Sequence, residues 1–276
     1  MGRDLSKEFP SPMDRAFRQY TDELSKVKLV EEIMSKEPLT IGEKASVAEA
    51  AKIMGEKHIG SLIVLREGKP WAIITERDVL SRVLALGKDP KNVEVREAMS
   101  TPLIAVEPKA TTKEAARLMI DRKGRLVVFK GKDLVGIVTA SDLIKSLPAS
   151  PETSLKVDDF MTRSVISVDE DLTISEVARV MGKKRIGSVL VNRDGKHCGI
   201  FTERDLLTSF LARGGNLSTL VGVAASSPLI TIPSGTTIHK AAYTMAKKHI
   251  KRLPVVKKKE IIGIITARDL VEVYAR

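Results

Sequence analysis

The chain has 276 residues, 43% hydrophobic and 29% charged, with a formal net charge of +11 and one cysteine, Cys198. That composition excludes wholesale disorder, a disulfide framework and any apolar run of the ~18–20 residues that a membrane-spanning helix needs. Residues 1–8 lack the apolar stretch of a secretory signal, so a cytoplasmic chain with no membrane association is expected. Met1-Gly2 with Ser6 fits a loose myristoylation pattern, but acidic neighbours and the want of a second membrane signal argue against it.

In chain order, residues 1–29 read as an N-terminal helical extension, with Pro12 at a first helical position and Phe17, Tyr20 and Leu24 following. Residues 38–41 form a short strand after a turn. Ser46 then caps a helix whose Val47, Ala50, Ala51 and Met54 recur three and four apart. Residues 61–65 and 71–74 are strands joined by the polar turn Arg66-Glu67-Gly68-Lys69, and Trp71 and the helical methionines stand at core spacing. A last helix starts at Thr75. The same strand, helix, strand, strand, helix order returns with first strands at 102–106, 164–168 and 228–232. The following helices start at Thr112, Thr173 and Thr237 and run to Met119, Met181 and Met245, and Asp194-Gly195 marks a hairpin turn.

Each unit carries an apolar run followed by Thr-x-x-Asp: Thr75 to Asp78, Thr139 to Asp142, Thr202 to Asp205 and Thr266 to Asp269. The four aspartates lie 64, 63 and 64 positions apart. One unit is too small to cover its own sheet, so units must pair. Repeats one and three share Ile-Gly-Ser (Gly60, Gly187) and Thr-Glu-Arg-Asp. Repeats two and four have Thr-Ala-Ser-Asp and Thr-Ala-Arg-Asp, as duplication of a two-repeat module would leave. The expected fold is α+β: four βαββα repeats in two pseudo-two-fold tandem modules. Module one spans 30–147 (repeats about 30–88 and 93–147), a Pro/Ser linker 148–156, and module two 157–276 (repeats about 157–215 and 219–276).

Ser/Thr-x-x-Glu/Asp ahead of a helix is also a capping box, in which Thr caps the helix and Asp reaches back to a backbone N–H. The competing reading is a ligand cleft, because the motif starts a helix straight after an apolar strand and turns free N–H groups and a positive dipole end outward. A carboxylate there can accept both hydroxyls of a ribose.

The recurrence resembles the cystathionine-β-synthase (CBS) domain family over about nine tenths of the chain. Paired CBS repeats form Bateman modules, whose clefts often hold adenine nucleotides or adenosyl compounds. The resemblance implies a ribose role for Asp78, Asp142, Asp205 and Asp269, and a phosphate or ribose role for Thr75, Thr139, Thr202 and Thr266. Before the second strand of the even repeats stand Gly124-Arg125-Leu126 and His249-Ile250-Lys251-Arg252-Leu253-Pro254-Val255. The latter is similar to the His-Arg-Leu-Pro-Val segment of the AMP-activated protein kinase γ subunit, with Lys in place of His. It implies phosphate contacts by Arg125, Arg252 and Lys251. The alternative for these residues is a basic helix end complementing the C-terminal dipole.

No Ser/His/Asp or Cys/His constellation assembles, and His197-Cys198 lacks partners at metal-ligand spacing, so neither an enzyme nor a metal site is expected. His58 and His249 read as helix-end caps or surface residues. The resemblance implies a regulatory sensor of AMP, ADP or ATP, with no resident cofactor and a protein partner that reads occupancy in energy sensing or signal transduction. It also implies a disk of modules, within one chain or in a homodimer. The alternative is a nucleic-acid binder, prompted by ten basic against three acidic residues over 220–276, although aromatic content is only 4%. A solvated Lys-rich face explains the same surplus.

Overall fold

The computed structural model describes residues 28–122, 124–146 and 155–275. The expected helix through Phe17, Tyr20 and Leu24 and most of the 148–156 linker lie outside the described residues.

Each repeat is a three-stranded sheet with two helices. In repeat one, β1 (Thr40–Gly42) runs parallel to β2 (Ser61–Arg66), with α1 (Val47–Glu56) crossing between them; β3 (Lys69–Thr75) returns antiparallel and α2 (Glu76–Arg82) follows. Repeat two has β4 (Ile104–Val106), α3 (Thr112–Asp121), β5 (Leu126–Lys130), β6 (Asp133–Val138) and α4 (Ala140–Ser146). Repeat three has β7 (Ser167–Asp169), α5 (Ile174–Lys184), β8 (Ser188–Arg193) and β9 (Lys196–Thr202), then a π-helical segment, Asp205–Phe210. Repeat four has β10 (Ile232–Pro233), α6 (Ile238–Lys248), β11 (Arg252–Lys257), β12 (Glu260–Thr266) and α7 (Ala267–Ala275). No helix among the described residues is long and apolar enough to cross a membrane.

The crossing helices start within one residue of where the sequence places them. Ser46, Thr173 and Thr237 are caps, each accepting the N–H three residues on. In repeat two the helix starts at Thr112 itself and the cap is Thr111, because Glu114 stands three residues after Thr111 and closes a capping box with it. Met54, Met119, Met181 and Met245 are all buried. Trp71 is not core: it is 48% exposed on the outer face of β3, under the Arg66 guanidinium at 4.5 Å. Alternation along an edge strand sends every second side chain outward, and the cation covers the indole left there.

The leading segment of each repeat packs on the other repeat of its module. Ser35–Lys36 pairs antiparallel with β6, while Glu94 and Ser100 bridge Ser46 and Ile73. Lys156 and Thr162 bridge repeat four, and Leu220 and Ser226 bridge repeat three. Within module one the sheets meet through Ile63, Ile73, Val127 and Ile137. The two large cores cross between modules: one joins repeats one and three, the other repeats two and four. Thus α1 packs on residues 205–213 and α5 on α2, while α7 packs on α3 and α4. The result brings the threonines of all four Thr-x-x-Asp motifs, one per sheet–helix junction, to the wall of one shared space.

Candidate functional site

Each signature stands where an antiparallel hairpin ends and its helix begins, so Thr and Asp are held by backbone on both sides. In every copy the Thr N–H and the Thr hydroxyl donate to Oδ2 of the Asp. The hydroxyl distances are 2.6 Å for Asp78 and 2.7 Å for Asp142, Asp205 and Asp269. In three copies the Asp N–H also donates back to the Thr Oγ1. In repeat two the Asp142 N–H goes to the Thr139 carbonyl instead.

Capping uses only one carboxylate oxygen, and the second separates odd from even repeats. Asp78 Oδ1 accepts from Ser100 Oγ at 2.9 Å and lies 3.5 Å from Arg82, and Asp205 Oδ1 accepts from Ser226 Oγ at 3.0 Å. In the even repeats Ser35 and Thr162 occupy the matching bridge positions. No hydrogen bond joins either hydroxyl to a carboxylate, and no other described residue donates to Oδ1 of Asp142 or Asp269. Burial raises the carboxyl pKa of Asp269, a push that its Thr266 bonds only partly oppose.

Asp142 and Thr139 line a cleft of about 300 Å³, closed by Lys36, His58, Ile59 and Arg125, with Arg204 and Lys251 entering from the second module. Thr75, Asp78, Thr202, Asp205 and Thr266 line a larger connected space of about 1150 Å³. Its walls include Ile186, Ser188 and Arg252, which stand in module two where Ile59, Ser61 and Arg125 stand in module one. Asp269 therefore holds in repeat four the position that Asp142 holds in repeat two, but of its motif Thr266, Ala267 and Arg268 line the larger space and Asp269 itself lines neither. His58 and His249 end their helices in the left-handed region (φ 53° and 55°), consistent with helix-end roles.

Arg125, Lys251 and Arg252 converge on this space, but they do not meet it empty-handed. Arg125 Nη2 and Lys251 Nζ lie 3.7 and 3.8 Å from Glu76 Oε2, and Arg252 Nη2 lies 3.4 Å from Glu203 Oε2. Arg125 stands immediately before β5 and Arg252 opens β11, and all three side chains pair with these carboxylates. Two further cations cross between modules: Arg77 Nε to Glu203 Oε1 at 2.9 Å, and Arg204 Nε to Glu76 Oε1 at 3.3 Å. Burial pushes the Glu76 carboxyl up, yet Lys251, Arg125 and Arg204 outweigh it and hold the pKa below the usual carboxylate value. Burial drives Lys251 down to about 8, helped by Arg204, Arg125 and Arg252 and opposed by Glu76. Sequence reasoning missed Glu76, Arg77, Glu203 and Arg204. The signal was there in Thr-Glu-Arg-Asp, which only the odd repeats carry.

A family model described as the CBS domain matches the chain four times, over residues 30–85, 95–149, 157–212 and 221–276. An uncharacterized 33.4 kDa protein in the ribosomal RNA operon of Thermofilum pendens is 30% identical over 193 residues, covering 64% of this chain and 63% of that protein. An uncharacterized protein of Methanocaldococcus jannaschii is 31% identical over 197 residues, covering 66% of this chain and 69% of that protein. The chain therefore spans somewhat under two thirds of the first relative and somewhat over two thirds of the second. The crystal structure of the M. jannaschii protein is described as that of a candidate archaeal homolog of g-AMPK. It matches 90% of this chain and 100% of its own with a TM-score of 0.77 at 24% identity. An uncharacterized conserved protein from Pyrococcus horikoshii matches the same shares with a TM-score of 0.61 at 25% identity. These structural likenesses concern the fold.

Proposed function

We propose that this chain, which belongs to the CBS domain family, is a non-enzymatic regulatory sensor that binds adenine nucleotides or adenosyl compounds in the even-repeat clefts. AMP, ADP and ATP are the expected ligands, and a protein partner reads their occupancy. The observation that carries this reading is the second oxygen of Asp142 and Asp269: the cap holds each carboxylate through Oδ2, and no described residue donates to Oδ1. A ribose hydroxyl supplies such a donor, in a charge-assisted bond worth roughly 1.5–3 kcal/mol. Beside Asp142, Arg125 and Lys251 offer positive charge for a phosphate, and Arg252 does so in the larger space that Thr266 lines. In the odd repeats Ser100 and Ser226 already donate to the matching oxygen, so those clefts bind ribose more weakly. The relative described as a g-AMPK homolog candidate supports a nucleotide-sensing role of this kind.

The test is a thermal-shift panel with AMP, ADP, ATP, S-adenosylmethionine and NAD. A ligand at about 100 times its Kd adds about 2.7 kcal/mol to stability. Asp142→Asn and Asp269→Asn keep an oxygen for the cap but turn the second position into a donor. They are expected to reduce the ligand-induced shift while leaving the unliganded Tm near the wild-type value. Absence of a shift with all five ligands contradicts the reading.

A further inference from the structure

We propose that Glu76 and Glu203 are built-in competitors for ligand phosphate: from the odd repeats they hold the cations of the even repeats, and so set which anions the clefts accept. The proposal rests on the reading above, in which Arg125, Lys251 and Arg252 receive phosphate.

Three observations carry it. The first is the division of labour along the chain. The position after the signature Thr is Glu76 or Glu203 in odd repeats and Ala140 or Ala267 in even ones. The position at the entry to the second strand is Ser61 or Ser188 in odd repeats and Arg125, one residue ahead of β5, or Arg252 in even ones. Carboxylate and guanidinium thus come from different repeats and meet in each module, Glu76 with Arg125 and Glu203 with Arg252.

The second is that room has been made for the meeting. A Cβ on Gly60 would lie 2.7 Å from Arg125 Nη2 and 2.8 Å from Glu76 Oε2, and one on Gly187 would collide with Arg252 and crowd Glu203. Neither glycine has a positive φ, so what glycine favours at both positions is the close approach of these side-chain ends rather than backbone freedom.

The third is the charge balance. Five cations, Arg77, Arg125, Arg204, Lys251 and Arg252, surround two carboxylates that are 4% and 7% exposed. The surplus draws an anion into the cavity they line. The contacts that hold phosphate-facing cations are long, at 3.4 to 3.8 Å, while the crossed partners are nearer, Arg77 at 2.9 Å from Glu203 and Arg204 at 3.3 Å from Glu76. An incoming phosphate must take Arg125, Lys251 and Arg252 from carboxylates that remain nearby as like charges, which penalises the more highly charged ligand most. Released from those cations, Glu76 and Glu203 keep only their crossed partners Arg204 and Arg77, so occupancy of the clefts and the pairing of the modules draw on the same two groups.

Isothermal titration of the full chain with inorganic pyrophosphate, AMP and adenosine tests this. In Glu76→Gln/Glu203→Gln, which conserves side-chain volume, pyrophosphate affinity is expected to rise by at least about tenfold and AMP affinity by less. Adenosine affinity is expected to stay within about twofold. Should the double variant fail to fold, the single Glu76→Gln and Glu203→Gln variants are each expected to show a smaller rise. Pyrophosphate affinity unchanged or lower in the variants, or no pyrophosphate binding to any form, overturns the proposal and leaves the glutamates as structural ion pairs. Enhanced pyrophosphate binding with no binding of adenosine or AMP upholds the competition and overturns the ribose assignment instead.

Discussion

Lys251 sits among three arginines, Arg204, Arg125 and Arg252, with the Glu76 carboxylate 3.8 Å from its Nζ as the opposing charge. Its folded pKa is about 8 against an ordinary 10.5. Between those values the unfolded chain binds more protons than the folded one, so this group makes stability rise with pH from about 8 upward. Lys251→Met is expected to raise Tm at pH 7 and to flatten that rise, as measured by circular dichroism melts between pH 6 and 10. A phosphate beside Lys251 favours the charged form, so anion binding near pH 8 takes up a proton and weakens as pH climbs. Titrations in buffers of different ionisation enthalpy read that uptake directly. At Gly187 a methyl group would meet the movable ends of Arg252 and Glu203, so Gly187→Ala is expected to displace that pair and shift anion affinity with little change in Tm. Unchanged anion affinity there contradicts the placement of this cluster.

The order of elements within each repeat was readable because two independent signals agree. Apolar spacing marks the crossing helices and Ser or Thr marks their starts, as at Ser46, Thr173 and Thr237. Thr111 and Thr112 show the limit of that reading: both are capping types, and only the position of Glu114 selects the first. Trp71 shows another, because period alone does not say which face of an edge strand meets the core. The Thr-x-x-Asp copies were legible as a recurring junction. That their caps use one oxygen and that Ser100 and Ser226 take the other in odd repeats depends on bridges between distant segments. Such pairings leave no local pattern. At this scale Thr173→Ala is expected to cost about 1 kcal/mol through the lost cap of α5. Met181→Ala should cost about 2–5 kcal/mol through a cavity in the core it fills. Chemical denaturation of both variants checks the ranking.

For the whole molecule, chain connectivity and packing divide the protein differently. The sequence suggests two tandem modules, yet each large apolar core takes one repeat from each of them. Helical faces at 3.6-residue spacing announce that they are buried but not against what, so the sequence could not reveal the cross-module cores. Thr112 Oγ1 meets the Tyr274 hydroxyl at 3.0 Å, and Arg117 donates to the Ala275 carbonyl at 2.9 Å, tying the last helix of module two to α3 of module one. Shared cores predict one cooperative unfolding transition by calorimetry rather than two separable ones. Two resolved transitions, each restored by one module alone, would show that the cores are independent.

The central claim is that the even clefts, and not the odd ones, hold the nucleoside. Calorimetric titration of AMP into the wild-type chain, Asp142→Asn/Asp269→Asn and Asp78→Asn/Asp205→Asn tests it most directly. Two sites per chain are predicted for the wild type and for the odd-repeat variant, and none of comparable affinity for the even-repeat variant. Loss of AMP binding in the odd-repeat variant, with binding intact in the even-repeat one, would contradict the account.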